Sequence, residues 1–280
     1  MDHDTFRTVQ AVHPPAPYIG GKRQLAATIV ALIEEIPHTT HAEPFIGMGG
    51  VFLRRSRVPR AEVINDISGD VTTFFRILQR HYQPFMDLMR FQLASRREFE
   101  RLAATEPATL TDLERAARFL YLQRLAFGGK VAGRTFGVSI ESPARFDVTK
   151  LGPLLADVAA RLSGVIIENL PFADLIKRYD APETLFYLDP PYWGSENDYG
   201  TGAFTRADFR RLAEILAGIA GKFVLSINDT PEVRSIFAGF DMAEVDLTYS
   251  ISRGAPKTVG ELIITPKGME RREEVRGLFD

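Results

Sequence analysis

An acid, two prolines and a tyrosine stand in series at Asp189-Pro190-Pro191-Tyr192, directly after the apolar run Leu185-Phe186-Tyr187-Leu188. A carboxylate and a main-chain carbonyl held side by side could accept hydrogen bonds from both N–H groups of one amino group. An amine on a heteroaromatic ring such as adenine is a poor nucleophile, because its lone pair is delocalised into the ring. Two acceptors pulling that nitrogen towards tetrahedral geometry would localise the lone pair. Asp189 and the Pro190 carbonyl are the candidate acceptors. Two prolines fix φ and remove competing donors, which keeps the turn rigid. Tyr192 offers a flat face on which an extruded base could stack. Taken alone, the tetrapeptide reads more simply as a proline turn, with Asp as turn former and Tyr as packing. Its neighbours argue for the chemistry.

The first neighbour is the glycine-rich stretch Phe45-Ile46-Gly47-Met48-Gly49-Gly50. Glycines let a ligand approach the main chain closely. Asp66 lies 19 residues after Gly47, where an acid at a strand end hydrogen-bonds ribose hydroxyls. In isolation Asp66 serves equally as a strand-end or helix N-cap residue. A third element, Tyr18-Ile19-Gly20-Gly21-Lys22, could cradle a carboxylate between a helix N-terminus and a cation. By itself it is a helix-entry turn, and it lacks the glycine spacing of a phosphate-binding P-loop.

Periodicity supplies the elements that must position these residues. Lys22 to Ile36 has a helical pattern, with Leu25, Ile29, Leu32, Ile33 and Ile36 on one face and Pro37 beyond it. A strand at about His41 to Phe45 enters the glycine turn, and a helix follows through Arg55. Ala61 to Asn65 reads as a second strand with Asp66 at its end. Strand, glycine turn, helix, strand and acid open a doubly wound α/β fold. Helices dominate from about Val71 to Arg124, and residues 127–147 read as a loop in which Gly128, Gly129, Gly133 and Gly137 alternate with cations and aromatics. Strand signals return at Val165–Glu168 and Leu185–Leu188. A helix fits Arg206 to Ala217, and a strand Lys222 to Ile227. Glu244 to Ser252 and Gly260 to Thr265 read as two final strands joined by a Gly/Pro loop. Residues 1–17 read as a loose, Pro-rich lead-in. The simplest organisation is one α/β domain, residues 1–70 and 160–280, split by a helical insertion over 71–159.

Composition sets outer bounds. The chain has 280 residues, 45% hydrophobic and 25% charged, which suits an ordinary globular protein. No apolar run approaches the roughly 20 residues of a membrane span, and the first 16 residues show no signal-peptide core, so a cytoplasmic location is expected. The absence of cysteine excludes disulfides and cysteine–zinc sites. The formal charge is −2, but it is unevenly spread. Residues 71–160 hold 13 Lys and Arg against 9 Asp and Glu, while the remainder holds 21 against 27. The cations of the middle segment could meet phosphates, or simply form a solvated helical face.

In their order and spacing these elements resemble the N6-adenine-specific DNA methyltransferases of the Dam-like alpha group. That family opens with aromatic-x-Gly-Gly-Lys, continues with Glu-Pro-Phe-x-Gly-x-Gly (here Glu43 to Gly49) and Asn-Asp (Asn65-Asp66), and carries a helical insertion before Asp-Pro-Pro-Tyr. Ser226-Ile227-Asn228-Asp229-Thr230 and Gly260-Glu261-Leu262-Ile263-Ile264 resemble its late elements. The resemblance runs from about residue 15 to 266.

It implies a doubly wound, Rossmann-like methyltransferase sheet with a mostly helical inserted target-recognition domain. It implies S-adenosylmethionine as cofactor, with Tyr18, Lys22, Phe45, Gly47, Gly49, Asp66, Phe172 and Asp189 around it, and Asp189, Pro190, Pro191 and Tyr192 as the catalytic element. It implies double-stranded DNA as partner, touched by Arg124, Gly128, Gly129, Lys130 and Arg134, no metal, and room for a cognate restriction endonuclease. The stretch Leu-Ala-Phe-Gly-Gly-Lys departs from the pattern of the nearest GATC-specific members, so that specificity is not implied. An RNA or protein-amide methyltransferase is the alternative within this chemistry. A dinucleotide oxidoreductase fits less well, since Phe52 occupies the position of its third glycine. A DNA-binding module without activity would leave the cofactor residues unused.

Overall fold

The computed structural model describes residues 6–22, 24–137, 143–200, 202–249 and 257–269. In chain order its elements are β1 (Arg7–Thr8), α1 (Ala26–Glu35), β2 (Thr40–Glu43), β3 (Arg57–Val58), β4 (Ala61–Asn65), α2 (Gly69–Met89), α3 (Arg96–Ala104), α4 (Asp112–Leu125), α5 (Val148–Arg161), β5 (Ile166–Glu168), α6 (Phe172–Tyr179), β6 (Thr184–Leu188), α7 (Arg206–Gly218), β7 (Lys222–Asn228), α8 (Pro231–Ile236), β8 (Asp241–Tyr249) and β9 (Lys257–Thr265).

Seven strands form one sheet in the order β5-β4-β2-β6-β7-β9-β8. The first five are parallel, and β9 inserts antiparallel between β7 and β8. β6 is buried along its whole length, as a central parallel strand covered on both faces must be. Its alternate residues serve different layers. Leu185 and Tyr187 pack with Leu25, Ile29 and Leu32 of the α1 region, while Phe186 and Leu188 pack with Leu175, Phe209 and Leu212 of α6 and α7. This is the doubly wound, Rossmann-like sheet expected from the sequence. Among the described residues no helix is long and apolar enough to cross a membrane.

Strand addition reverses between β2 and β6. The chain goes outward from β2 to β4 and β5, then returns to add β6 and β7 on the other side. The carboxyl ends of β2 and β6 therefore lie side by side at a topological switch point, where open α/β sheets bind ligands.

The helical segment packs on the α1 side. Ile46, Phe52 and Ile64 share one apolar cluster with Phe74 of α2, Leu122 of α4 and Leu155 of α5. Val71 and Val158, at the two ends of that segment, belong to the same cluster. α2 is kinked: His81 leaves the helical region at φ −134° and ψ 34°, three residues before Pro84, whose ring excludes a straight continuation. The kink brings the Phe85 ring to 6.2 Å from that of Phe74. α4 starts at a capping box formed by Thr111 and Glu114.

The expected helix through Arg55 is only a 3₁₀ turn, Phe52–Arg54. Val51, Phe52 and Leu53 are all buried, and an α-helix at the sheet edge would expose one of three consecutive residues. α1 starts at Ala26 rather than Lys22, with Ala26 N donating back to Lys22 O at 2.7 Å. α5 was not read from the sequence. Gly152 and Pro153 interrupt its propensity, yet Leu151, Leu155 and Val158 bury one face. The lead-in is also anchored: Val9 N donates to Ser56 O at 2.9 Å and Val12 N to Leu53 O at 2.7 Å. The last two strands are longer than expected, while Ser250 to Ser252 and the rest of their connection lie outside the described residues.

α5 is bolted to the sheet by charge. Arg161 donates to both oxygens of Glu62 on β4, each at 2.7 Å, and Arg55 Nη1 lies 3.3 Å from Glu62 Oε1. All three side chains are buried. Glu62→Ala would strand two guanidinium groups in the interior. We expect a loss of about 3–5 kcal/mol of stability, read by urea denaturation.

Candidate active site

The site forms at the switch point. Gly47 and Gly49 have positive φ, +50° and +73°, so the turn after β2 needs residues without a side chain. A Cβ on Gly47 would lie 2.9 Å from the Tyr18 ring. Asn65, at the end of β4, ties three segments together. Its amide donates to Pro44 O (2.9 Å) and Leu170 O (3.0 Å), and its oxygen accepts from Leu170 N (2.8 Å). Asp66 follows, and its two oxygens accept from Gly47 N at 3.0 Å and Ser68 N at 2.9 Å. Burial pushes the Asp66 carboxyl up to about 6, against the pull of those two N–H groups.

The acid–proline corner follows β6. Asp189 Oδ1 is 2.7 Å from Lys22 Nζ. Burial raises the Asp189 carboxyl to about 6, with the Lys22 ammonium opposing the shift. The Pro190 carbonyl accepts no hydrogen bond among the described residues. Beyond the prolines, Trp193 N donates to Asn228 Oδ1 (2.9 Å) and Asn228 Nδ2 donates back to Trp193 O (3.1 Å). The end of β7 thus clamps the far side of the corner.

A cavity of about 470 Å³ joins the two halves. Tyr18, Lys22, Phe45, Gly47, Asp66, Asp189 and Pro191 all line it. Gly49, Pro190, Phe172 and Tyr192 do not. Phe172 stands behind the wall, with its ring 5.6 Å from Phe45 and 5.7 Å from Phe204. Tyr192 directs its hydroxyl inward, donating to Glu261 Oε2 at 2.9 Å and accepting from Lys22 Nζ at 2.8 Å. Lys22 is therefore engaged on three sides, by Asp189, Tyr192 and Glu261, and does not stand open to a ligand carboxylate as its motif suggested.

Other walls were not visible in the sequence. The lead-in contributes His13 and Pro17, and the segment after the corner contributes Tyr199 and Phe204. Tyr199 donates to Ile19 O at 3.0 Å. Glu43, at the end of β2, also faces the cavity, and burial pushes its carboxyl up to about 8.

The expected DNA-facing residues separate into two kinds. Arg124 lines the cavity and donates to Pro15 O (3.1 Å) and Arg145 O (2.8 Å). Arg134 donates to Gln123 Oε1 at 3.2 Å, and burial lowers its pKa. Lys130 and Gly128 are exposed. Gly129 is a close-approach position, since a Cβ there would sit 3.0 Å from the Pro17 carbonyl carbon and the Tyr18 nitrogen. No group of three or more His, Cys, Asp or Glu side chains that could hold a metal occurs among the described residues.

Known proteins of one enzymatic family are similar to this chain. The profile of the D12 class N6 adenine-specific DNA methyltransferases matches residues 18–251. Type II methyltransferase M.CviBI of Paramecium bursaria Chlorella virus NC1A is 22% identical over 213 residues, 75% of this chain and 81% of that protein. Type II methyltransferase M1.LlaDCHI of Lactococcus lactis subsp. cremoris is 24% identical over 280 residues, 92% of this chain and 96% of that protein. The DNA N-6-adenine-methyltransferase of Escherichia phage P1 is 25% identical over 229 residues, 75% of this chain but 29% of that longer protein.

Gly47→Ala tests the turn. The left-handed backbone costs an alanine about 1–2 kcal/mol, and its Cβ would press on Tyr18. The expected outcome is lower stability in thermal unfolding together with a narrowed cavity that excludes ligand, read by calorimetric titration.

Proposed function

Because the chain belongs to the D12 class of N6 adenine-specific DNA methyltransferases, we propose that it draws the methyl group from S-adenosylmethionine bound between the glycine turn and Asp189. The observation that carries this reading is the single cavity that runs from Gly47 and Asp66 to Asp189 and Pro191. The residues fit such a ligand. Asp66 retains acceptor capacity for ribose hydroxyls after its two main-chain bonds. Phe45 and Phe204 offer apolar faces to an aromatic base. Carboxylates at Asp66 and Asp189 suit a cationic ligand, and the positive φ of Gly47 brings main chain to the cavity surface. When bound, the cofactor supplies a methyl group already activated for displacement by its sulfonium.

The chain's own part is then alignment. Asp189 keeps one oxygen on Lys22 and presents the carboxylate to the adenine amine, with the Pro190 carbonyl as second acceptor. The two bonds hold the amine still and localise its lone pair. The target base leaves the duplex stack to reach them, at a cost of a few kcal/mol. Segment 71–159 is assigned to target recognition, with Lys130 as the phosphate-facing member of the expected trio. Arg124 and Arg134 support the loop and the cavity wall. Family membership removes the RNA, peptide-amide and oxidoreductase alternatives. A cytoplasmic setting, with or without a cognate endonuclease, fits this reading.

Asp189→Ala should lower the rate of methyl transfer to adenine-containing DNA on the order of a hundredfold or more, measured with tritiated cofactor. The ionised carboxylate of Asp189 is the stronger acceptor and carries no competing O–H. With the carboxyl raised to about 6 in the ligand-free protein, kcat/KM should be level above that pH and fall as pH drops through it. Asp66, also raised to about 6, should place a second acidic limb on the cofactor KM. Lys130→Ala should reduce the slope of log affinity for DNA against log salt by about 0.9; an unchanged slope would move the phosphate contact elsewhere.

A further inference from the structure

The mechanism so far gives no task to Glu261, a buried acid on β9. Its Oε1 lies 2.8 Å from Lys22 Nζ and its Oε2 accepts from the Tyr192 hydroxyl at 2.9 Å. Lys22 in turn holds Asp189 Oδ1 at 2.7 Å and lies 4.3 Å from the centre of the Tyr192 ring. The ammonium has three N–H groups, and Asp189, Tyr192 and Glu261 surround it. Glu261 is also the register partner of Asn228 on β7. Asn228 grips the main chain of Trp193, so one pair of facing residues on two strands secures both sides of the acid–proline corner.

We infer that Glu261 is a positioning residue for methyl transfer, holding Lys22 and Tyr192 so that the Asp189 carboxylate is fixed in the orientation that receives the amine. Lys22 then serves Asp189, not the cofactor. A lysine chain has four flexible torsions, and a single ionic contact would leave Asp189 free to swing. Two further contacts remove that freedom before any ligand arrives. The charges matter as well. One ammonium between two carboxylates leaves a net negative group beside the site where positive charge passes from the methyl donor to the amine. The inference rests on the assignment of Asp189 as amine acceptor.

Glu261→Gln keeps the shape and removes the charge. In the full chain it should lower kcat by about 10- to 100-fold, with binding of cofactor and DNA and the unfolding midpoint close to wild type. A second readout needs no turnover. The groups facing Asp189 are Lys22, Glu261 and Tyr192, with Tyr187, Glu43 and Tyr199 further round. Glu261 pushes the Asp189 carboxyl up and Lys22 pulls it down. Carbon-13 NMR of the Asp189 carboxyl in the ligand-free protein should therefore titrate lower in Glu261→Gln and higher in Lys22→Met. An unchanged titration, kcat within about twofold of wild type, or a loss confined to KM would overturn the proposal. If Glu261→Gln does not fold, Glu261→Asp retains the charge but withdraws it by one methylene. It should reduce kcat while leaving cofactor affinity in place, and wild-type kcat there would overturn the proposal equally. A Glu261→Gln enzyme as active as wild type, beside an inactive Asp189→Asn, refutes this inference alone. An active Asp189→Asn refutes the assignment beneath it.

Discussion

The carboxyl ends of β2 and β6 are neighbours because strand addition reverses between them, and every feature of the site follows from that adjacency. Residues 141 positions apart along the chain, Met48 and Asp189, border one cavity. The glycine turn leaves one strand end and the acid–proline corner leaves the other. Asn65, from the next strand outward, then locks Pro44 to Leu170 through its buried side-chain amide, which fixes the segments that lead into Phe45 and Phe172. A ligand between the two ends meets a preformed surface, which spares it the cost of ordering one.

Burial gives this arrangement its electrostatic character. Lys22, Glu43, Asp66 and Asp189 sit deep in or around the cavity, and desolvation is the largest influence on each of their protonation equilibria. Lys22 is the exception in direction, since its two carboxylate partners outweigh desolvation and keep it charged. On the same sheet face as His41 and Glu43, Arg55, Glu62 and Arg161 form a second buried ionic cluster. It holds helix to sheet. The protein thus keeps its ionic cost in two places, one beside the ligand cavity and one that fixes the helical segment against the core.

Residues that act through local sequence were legible. Asp189 to Tyr192, the turn at Gly47 and the acid at Asp66 announce themselves by type and spacing, and Gly47, Asp66, Asp189 and Pro191 border one cavity, while Pro190 and Tyr192 lie outside its lining. Residues that act through distant partners were not. Glu261 is 72 positions from Asp189 and sits in an unremarkable apolar strand, so only the β7–β9 register reveals its place. Tyr199 and Phe204 belong to a segment whose pattern says nothing of the cavity it closes. Lys22 was legible as a site residue but its buried partners Asp189 and Glu261 were not, because a glycine-rich helix entry looks the same whether its cation faces a ligand or a buried acid. The charged middle segment was ambiguous for a related reason. Composition cannot tell Lys130, which faces solvent, from Arg134, which is committed to Gln123.

The bend at His81 has a reach that its own helix does not show. A straight helix would place Phe74 and Phe85 about 16 Å apart along its axis, and the loop after Met89 would project away from the sheet. Instead the helix bends at His81, and the chain beyond it meets Tyr121, whose hydroxyl donates to Leu93 O at 2.8 Å. Tyr121 is one helical turn from Arg124 at the cavity rim. A single proline-directed bend in one helix therefore leaves the loop beyond it within reach of Tyr121, and one phenol fastens that loop at both Leu93 and Ser95.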